Sequence, residues 1–184
     1  MEEDFLKDII KIFTYYRHLG ETAMKQLKDS DLFISPEGDG NSIAVLVKHL
    51  SGNMQSRWTD FLSSDGEKEW RDRDSEFVPD ITSREQMMAL WNKGWDLLFS
   101  TLDSLDPSDM RRTIYIRNTG HSVSEAINRQ LAHYAYHVGQ LVFLAKQLCK
   151  EDWISLSIPK GASKDFNKKL FSKKSSKRHF TDDL

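Results

Sequence analysis

From Glu3 to about Leu27, apolar side chains at Phe5, Ile9, Ile12, Phe13, Tyr16, Leu19, Ala23, Met24 and Leu27 recur at spacings of three and four. That spacing lines one face of an α-helix. The same period returns between Ser42 and Leu62, through Ile43, Leu46, Val47, Leu50, Met54, Trp58, Phe61 and Leu62. It returns again over Met87, Leu90, Trp91, Trp95, Leu98 and Leu102, and from Val123 through Ile127, Leu131, Tyr134, Val138, Leu141, Val142, Leu144 and Ala145 to about Leu148. Four long amphipathic helices are predicted. Asn41 or Ser42 is placed to cap the second, and Thr82 with Glu85 and Ser122 with Glu125 have capping-box spacing for the third and fourth.

The connections differ in character. Pro36, Gly38 and Gly40 mark a loop, whereas Ser63 to Ile81 is a polar, turn-rich stretch long enough to cross from one side of a bundle to the other. The run RRTIYIRNTGHS alternates Ile114 and Ile116 with polar partners, which predicts an extended segment or short hairpin. Beyond Glu151 a turn and one short helix are expected before KKSSKRHFTDDL, which is too polar to bury. The expectation is an all-α four-helix bundle with a long crossover loop, a short extended segment before the last long helix and a short C-terminal helix. It forms a single domain over residues 1–170, followed by a polar, flexible tail at 171–184. A chain of 184 residues is ample for one core and short for two.

Composition narrows the class. A formal charge of −2 lacks the basic footprint of a nucleic-acid binder, and no apolar run reaches the roughly 20 residues of a membrane-spanning helix. The single cysteine, Cys149, cannot form an internal disulfide, and the opening MEEDFLKDII carries acids where a secretory signal carries bases. A cytoplasmic location is expected, with neither nucleic acid nor membrane as partner. Nucleophile-elbow, Walker and dinucleotide motifs are absent from the sequence.

The chemistry points to histidine. His133 and His137 stand four apart in RQLAHYAYHVGQLVFLAK, so both imidazoles lie on one helix face, one turn apart, where they can share an ion. His49, at the edge of the apolar stripe of the second helix, is the best third ligand; alone it would read as a packed core residue. His18, His121 and His179 read as surface residues, with His121 a weaker possibility for lining a site, and Cys149 as packing. Three neutral ligands leave the full charge on the metal and a position open for chemistry, the arrangement that most acidifies a bound water or thiol. Asn53, Glu125 and Gln140 are available to orient the rings.

The runs NSIAVLVKHLSGNMQSRWTDFL, RNTGHSVSEAINRQLAHYAYHVGQLVFLAK and SLSIPKG together resemble the DinB and YfiT-like metal-binding superfamily, in particular a branch of small, largely uncharacterised bacterial proteins, over about Phe5 to Lys168. The superfamily's histidine triad maps onto His49, His133 and His137. The resemblance implies an up-down-down-up bundle, commonly a homodimer, that binds nickel, zinc or another divalent ion. Relatives include S-transferases that use low-molecular-weight thiols such as bacillithiol or mycothiol, a thiol-dependent isomerase, and proteins described as metal-dependent hydrolases. The leading expectation is a metal-dependent transferase that directs a small thiol at an electrophilic small molecule. A hydrolase with metal-activated water and a non-catalytic metal-binding or dimeric interaction protein are the alternatives.

Overall fold

The computed structural model describes residues 2–182. Its elements run α1 (Glu2–Lys25), α2 (Ile43–Trp58), α3 (Arg84–Asp103), β1 (Thr113–Ile116), β2 (Thr119–Ser122), α4 (Val123–Cys149) and α5 (Ser163–Phe171), with short 3-10 turns between them. Among the described residues the regular structure is helical apart from one small two-stranded sheet. Among the described residues no helix is long and apolar enough to cross a membrane.

Helix starts follow from the side chains placed there. Ser42, Ser83 and Ser122 adopt extended backbone, and their hydroxyls accept the N–H of Val45, Gln86 and Glu125 at 3.3, 3.2 and 3.1 Å. Each satisfies a donor that the first helical turn leaves unpaired. The α3 cap lies one residue beyond the expected Thr82. Gln86 is three past Ser83, so its N–H meets the Ser83 hydroxyl while its side-chain oxygen folds back to accept from Thr82. Helix α2 stops at Trp58, short of the expected Leu62, because Thr59 turns extended and Asp60 takes a left-handed φ of 48°. Phe61 keeps the apolar period from outside the helix, packing on Trp58 with ring centroids 4.9 Å apart.

The long helices share one core. α2 lies along α3 and α1 along α4, with further contact between α2 and α4 and between α1 and α3. The α2–α3 approach depends on Gly94, where a Cβ would sit 2.9 Å from Met54 Sδ and 3.2 Å from Ser51 Cα. The Ser51 hydroxyl donates to Leu90 O across the same seam at 2.8 Å. At the centre Phe13 meets Trp58, Trp95 and Tyr134 at centroid distances of 6.3, 6.3 and 6.0 Å. Burying Phe13 contributes about 1.5–3 kcal/mol.

The expected extended segment is a hairpin with Ile114 opposite His121 and Ile116 opposite Thr119. Its two-residue turn puts Arg117 and Asn118 at φ of 54° and 59°, the left-handed pair that suits the twist of a tight hairpin. The Asp65 carboxylate accepts both turn N–H groups at 2.8 Å and that of Glu67 at 2.7 Å, which ties the hairpin tip to the loop after α2. The last described residues return to α1, where Lys11 pairs with Asp182 at 2.7 Å and Tyr15 meets Phe180 at 5.8 Å. Residues 183 and 184 of the expected tail lie outside the described residues.

Candidate metal centre

His49 sits on the buried face of α2, and His133 and His137 sit one turn apart on α4 where the two helices meet. One ligand atom from each lies within 4.8 Å of the others. The α4 pair is closest, with Nε2 atoms 3.1 Å apart, near the about 3.3 Å between two nitrogens on one tetrahedral zinc. His49 is 3 % exposed, and its ring lies 4.8 Å from that of His137 and 5.5 Å from that of His133.

The outer nitrogens of His49 and His137 are claimed by other groups. His49 Nδ1 meets Glu76 Oε2 at 2.8 Å, and His137 Nδ1 meets Gln140 Oε1 at 2.9 Å. Carboxylate and amide oxygens can only accept, so both Nδ1 atoms carry a proton, and in the neutral form of each ring the lone pair is on Nε2. His133 Nδ1 is buried without a partner. Burial, and after it the charges of His137, His49, Arg57 and Arg71, push the His133 imidazole down to about 3. Burial also lowers His137, followed by the charge of His49. Neutral imidazoles crowded together are what a divalent cation requires of its ligands.

Glu76 is the residue that sequence reasoning missed. It lies in the long loop, in the 3-10 turn Asp74–Phe77, yet is only 5 % exposed. Arg71, its side chain 2 % exposed, grips both carboxylate oxygens at 2.7 and 3.0 Å. Burial alone would raise the Glu76 carboxyl, but hydrogen bonds from His49 and Arg71 outweigh it and hold the group below its ordinary value. The carboxylate reaches His49 because α2 has a glycine in the way: a Cβ on Gly52 would lie 2.4 Å from Glu76 Oε1. Gly52, three residues after His49 on the half-exposed side of α2 that also carries Lys48 and Gln55, was the available signal, since a missing side chain there marks a place where another segment inserts.

Of the residues thought able to orient the rings, Gln140 does so. Asn53 instead accepts from the Tyr134 hydroxyl at 3.1 Å, and that hydroxyl accepts from Trp58 Nε1 at 3.0 Å, a buried chain beneath the site. Glu125 lies 3.2 Å from His121 Nδ1 and away from the triad. His18 meets Thr22 on the surface, His179 meets Thr181 near the C-terminus, and Cys149 packs near Gln26 O.

The triad opens on a cavity of about 440 Å³. Phe77 stacks on His49 at 4.8 Å and Tyr136 lies 4.9 Å from His137, so aromatic rings border the histidines on both helices. Arg57, Arg71, Arg73, Arg117 and Arg129 also line the cavity, and among the described residues no aspartate or glutamate does. Arg57 is fixed by Glu67 at 3.0 Å and by the Gly66 carbonyl, and Glu67 also pairs with Arg71 and Arg117 at 3.2 Å each. Only three protein ligands converge on the triad among the described residues, so a metal held there keeps a face toward the cavity.

The family described as "Protein of unknown function (DUF1572)" matches residues 1–162, which spans α1 to α4 and every residue of the triad. No curated protein matches the chain.

Proposed function

The chain belongs to the DUF1572 family of proteins of unknown function, and from that premise we propose that it is a divalent-metal enzyme of the DinB-like kind, transferring a low-molecular-weight thiol to an electrophilic small molecule. The observation that carries the reading is the placement of His49, His133 and His137 at the floor of an open cavity. A structural zinc site is normally closed by a fourth protein ligand, whereas a catalytic one keeps a position for substrate. Zinc or nickel suits an imidazole set of this kind. When bound, such an ion lowers the pKa of a coordinated thiol or water and so supplies a nucleophile at neutral pH.

The chain's own residues do the rest. Glu76, locked by Arg71, holds the Nδ1 proton of His49 and aims Nε2 inward; Gln140 does the same for His137. Phe77 and Tyr136 shield the cavity floor and offer apolar surface to a substrate. At about 440 Å³ the cavity suits a small molecule and not a polymer. The thiol comes from outside, since Cys149 does not line the cavity. In the same reading α1 to α4 form an up-down-down-up bundle over residues 1–170, and the protein works as a cytoplasmic homodimer.

Conjugation of a generic electrophile by zinc- or nickel-loaded protein tests the activity. Turnover that requires an added small thiol and disappears in His133→Ala is expected. Thiol-independent cleavage of esters or amides would replace this reading with metal-dependent hydrolysis, and inactivity of the metal-replete protein on both panels would leave a metal-binding protein without turnover.

A further inference from the structure

We propose that the small molecule taken into this cavity carries an oxyanion, a carboxylate or a phosphate, held by Arg73, Arg117 and Arg129 at the rim while a donor on the same molecule reaches the buried Gln130 amide. The inference rests on reading the site as a small-molecule cavity and not on which metal lies beneath it.

Charge makes the first argument. Five guanidiniums line the cavity, and the two carboxylates that partner them, Glu67 and Glu76, are committed to Arg57, Arg71 and Arg117. Among these groups three positive charges are in excess before any metal is added; Asp65, at the hairpin turn, offsets part of that through Arg57 and the Arg117 backbone. The Arg57 and Arg71 side chains are buried and tied to Glu67, Glu76 and the Gly66 carbonyl, and they hold the floor together. Arg73 and Arg129 have no carboxylate partner among the described residues: Arg73 lies over the Phe77 ring at 5.0 Å, and Arg129 contacts His121 Nε2 at 3.1 Å. Arg117 shares Glu67 with two other arginines and is more than half exposed. Guanidiniums gathered on a concave surface with no facing carboxylate repel one another unless an anion joins them, and their planar forks match carboxylate and phosphate geometry.

Gln130 supplies an independent observation. It lines the same cavity from α4, it is 3 % exposed, and its side-chain oxygen is buried without a hydrogen-bond partner. A shielded amide left unpaired is costly. It stands one turn before Tyr134 and three residues before His133, so a ligand that spans the arginine rim and the triad passes beside it. A small turn of the Gln130 side chain would bring this oxygen, closed to water in the structure, against a hydroxyl or N–H on that ligand.

The test is calorimetric titration of phenyl phosphate and of benzoate into metal-free and zinc-loaded protein, wild type beside an Arg73→Gln, Arg129→Gln double variant. Both side chains are exposed, and circular dichroism checks that the variant folds. We expect at least one probe to bind wild type, with affinity that falls as salt rises, and to bind the variant about tenfold or more weakly with or without zinc. The tighter probe identifies phosphate or carboxylate as the recognised group. Absence of binding by both probes, or equal affinity in the variant, overturns the proposal. Zinc uptake is measured separately in the same samples: arginine-dependent binding to a protein that takes up no zinc would sink the metal reading and leave the anion site standing.

Discussion

At the scale of single residues, the site depends on which protonation state each side chain is held in. His133 is kept neutral by burial and by neighbouring positive charge, its imidazole down at about 3 against an ordinary 6.5. Unfolding would let it take up a proton below pH 6.5, so its contribution to the stability of the metal-free fold is complete above that value and is lost as pH falls toward 3. Thermal midpoints of metal-free protein should therefore decline as pH falls from about 6.5 toward 3, and His133→Gln should flatten that decline; an unchanged slope in the variant would contradict the assignment. Glu76 acts through His49 and is a positioning residue. Glu76→Gln removes the charge that orients the ring while keeping its shape, and should weaken zinc affinity by about 10- to 100-fold in a chelator competition. The histidines were legible in the sequence because a repeat of four on an amphipathic helix has a geometric meaning. Glu76 was not, because an acid in a polar loop has the pattern of a solvated residue, and only the fold brings it under Arg71 and against α2.

At the scale of elements, the long loop after α2 is the part of the chain whose role exceeded its expectation. Its polar composition predicted a crossover, yet it supplies Arg71, Arg73 and Phe77 to the cavity wall, and Glu67 and Glu76 to hold the arginines and His49 behind that wall. Its path is fixed by contacts that sequence periodicity cannot register: Gly66 N–H donates to Tyr115 O at 2.8 Å, Asp65 caps the hairpin turn, and Gly52 clears room on α2. The four long helices were legible from apolar spacing, and the starts of α2, α3 and α4 were read to within a residue from serine or threonine at the cap positions. The end of α2 was not, because Phe61 serves the core from outside the helix. Gly52→Ala tests the link between loop and helix. Its methyl would displace the Glu76 carboxylate from His49 and Arg71, so zinc affinity should fall as in Glu76→Gln while circular dichroism stays helical. Affinity equal to wild type would mean that the loop does not position the ligand. Ser122→Ala, by contrast, should cost about 1 kcal/mol at the start of α4 without moving the metal site, read by denaturant unfolding.

At the scale of the whole molecule, the three histidines come from two helices that meet only in the folded state, so a metal bound there would couple to folding. Zinc at a hundred times its dissociation constant should stabilise the fold by about 2.7 kcal/mol, a rise in Tm of about 5 to 11 °C for a chain of this size. The arginines of the cavity come from α2, the loop, the hairpin turn and α4. No short stretch of sequence carries that pattern, and a formal charge of −2 conceals it. The central claim is that the three histidines hold one divalent ion. Elemental analysis of untagged protein, reconstituted and dialysed beside a His49→Ala, His133→Ala double variant, tests it most directly. About one ion per chain in the wild type and none in the variant is the predicted result; no ion in the wild type, or equal metal in both, would contradict it.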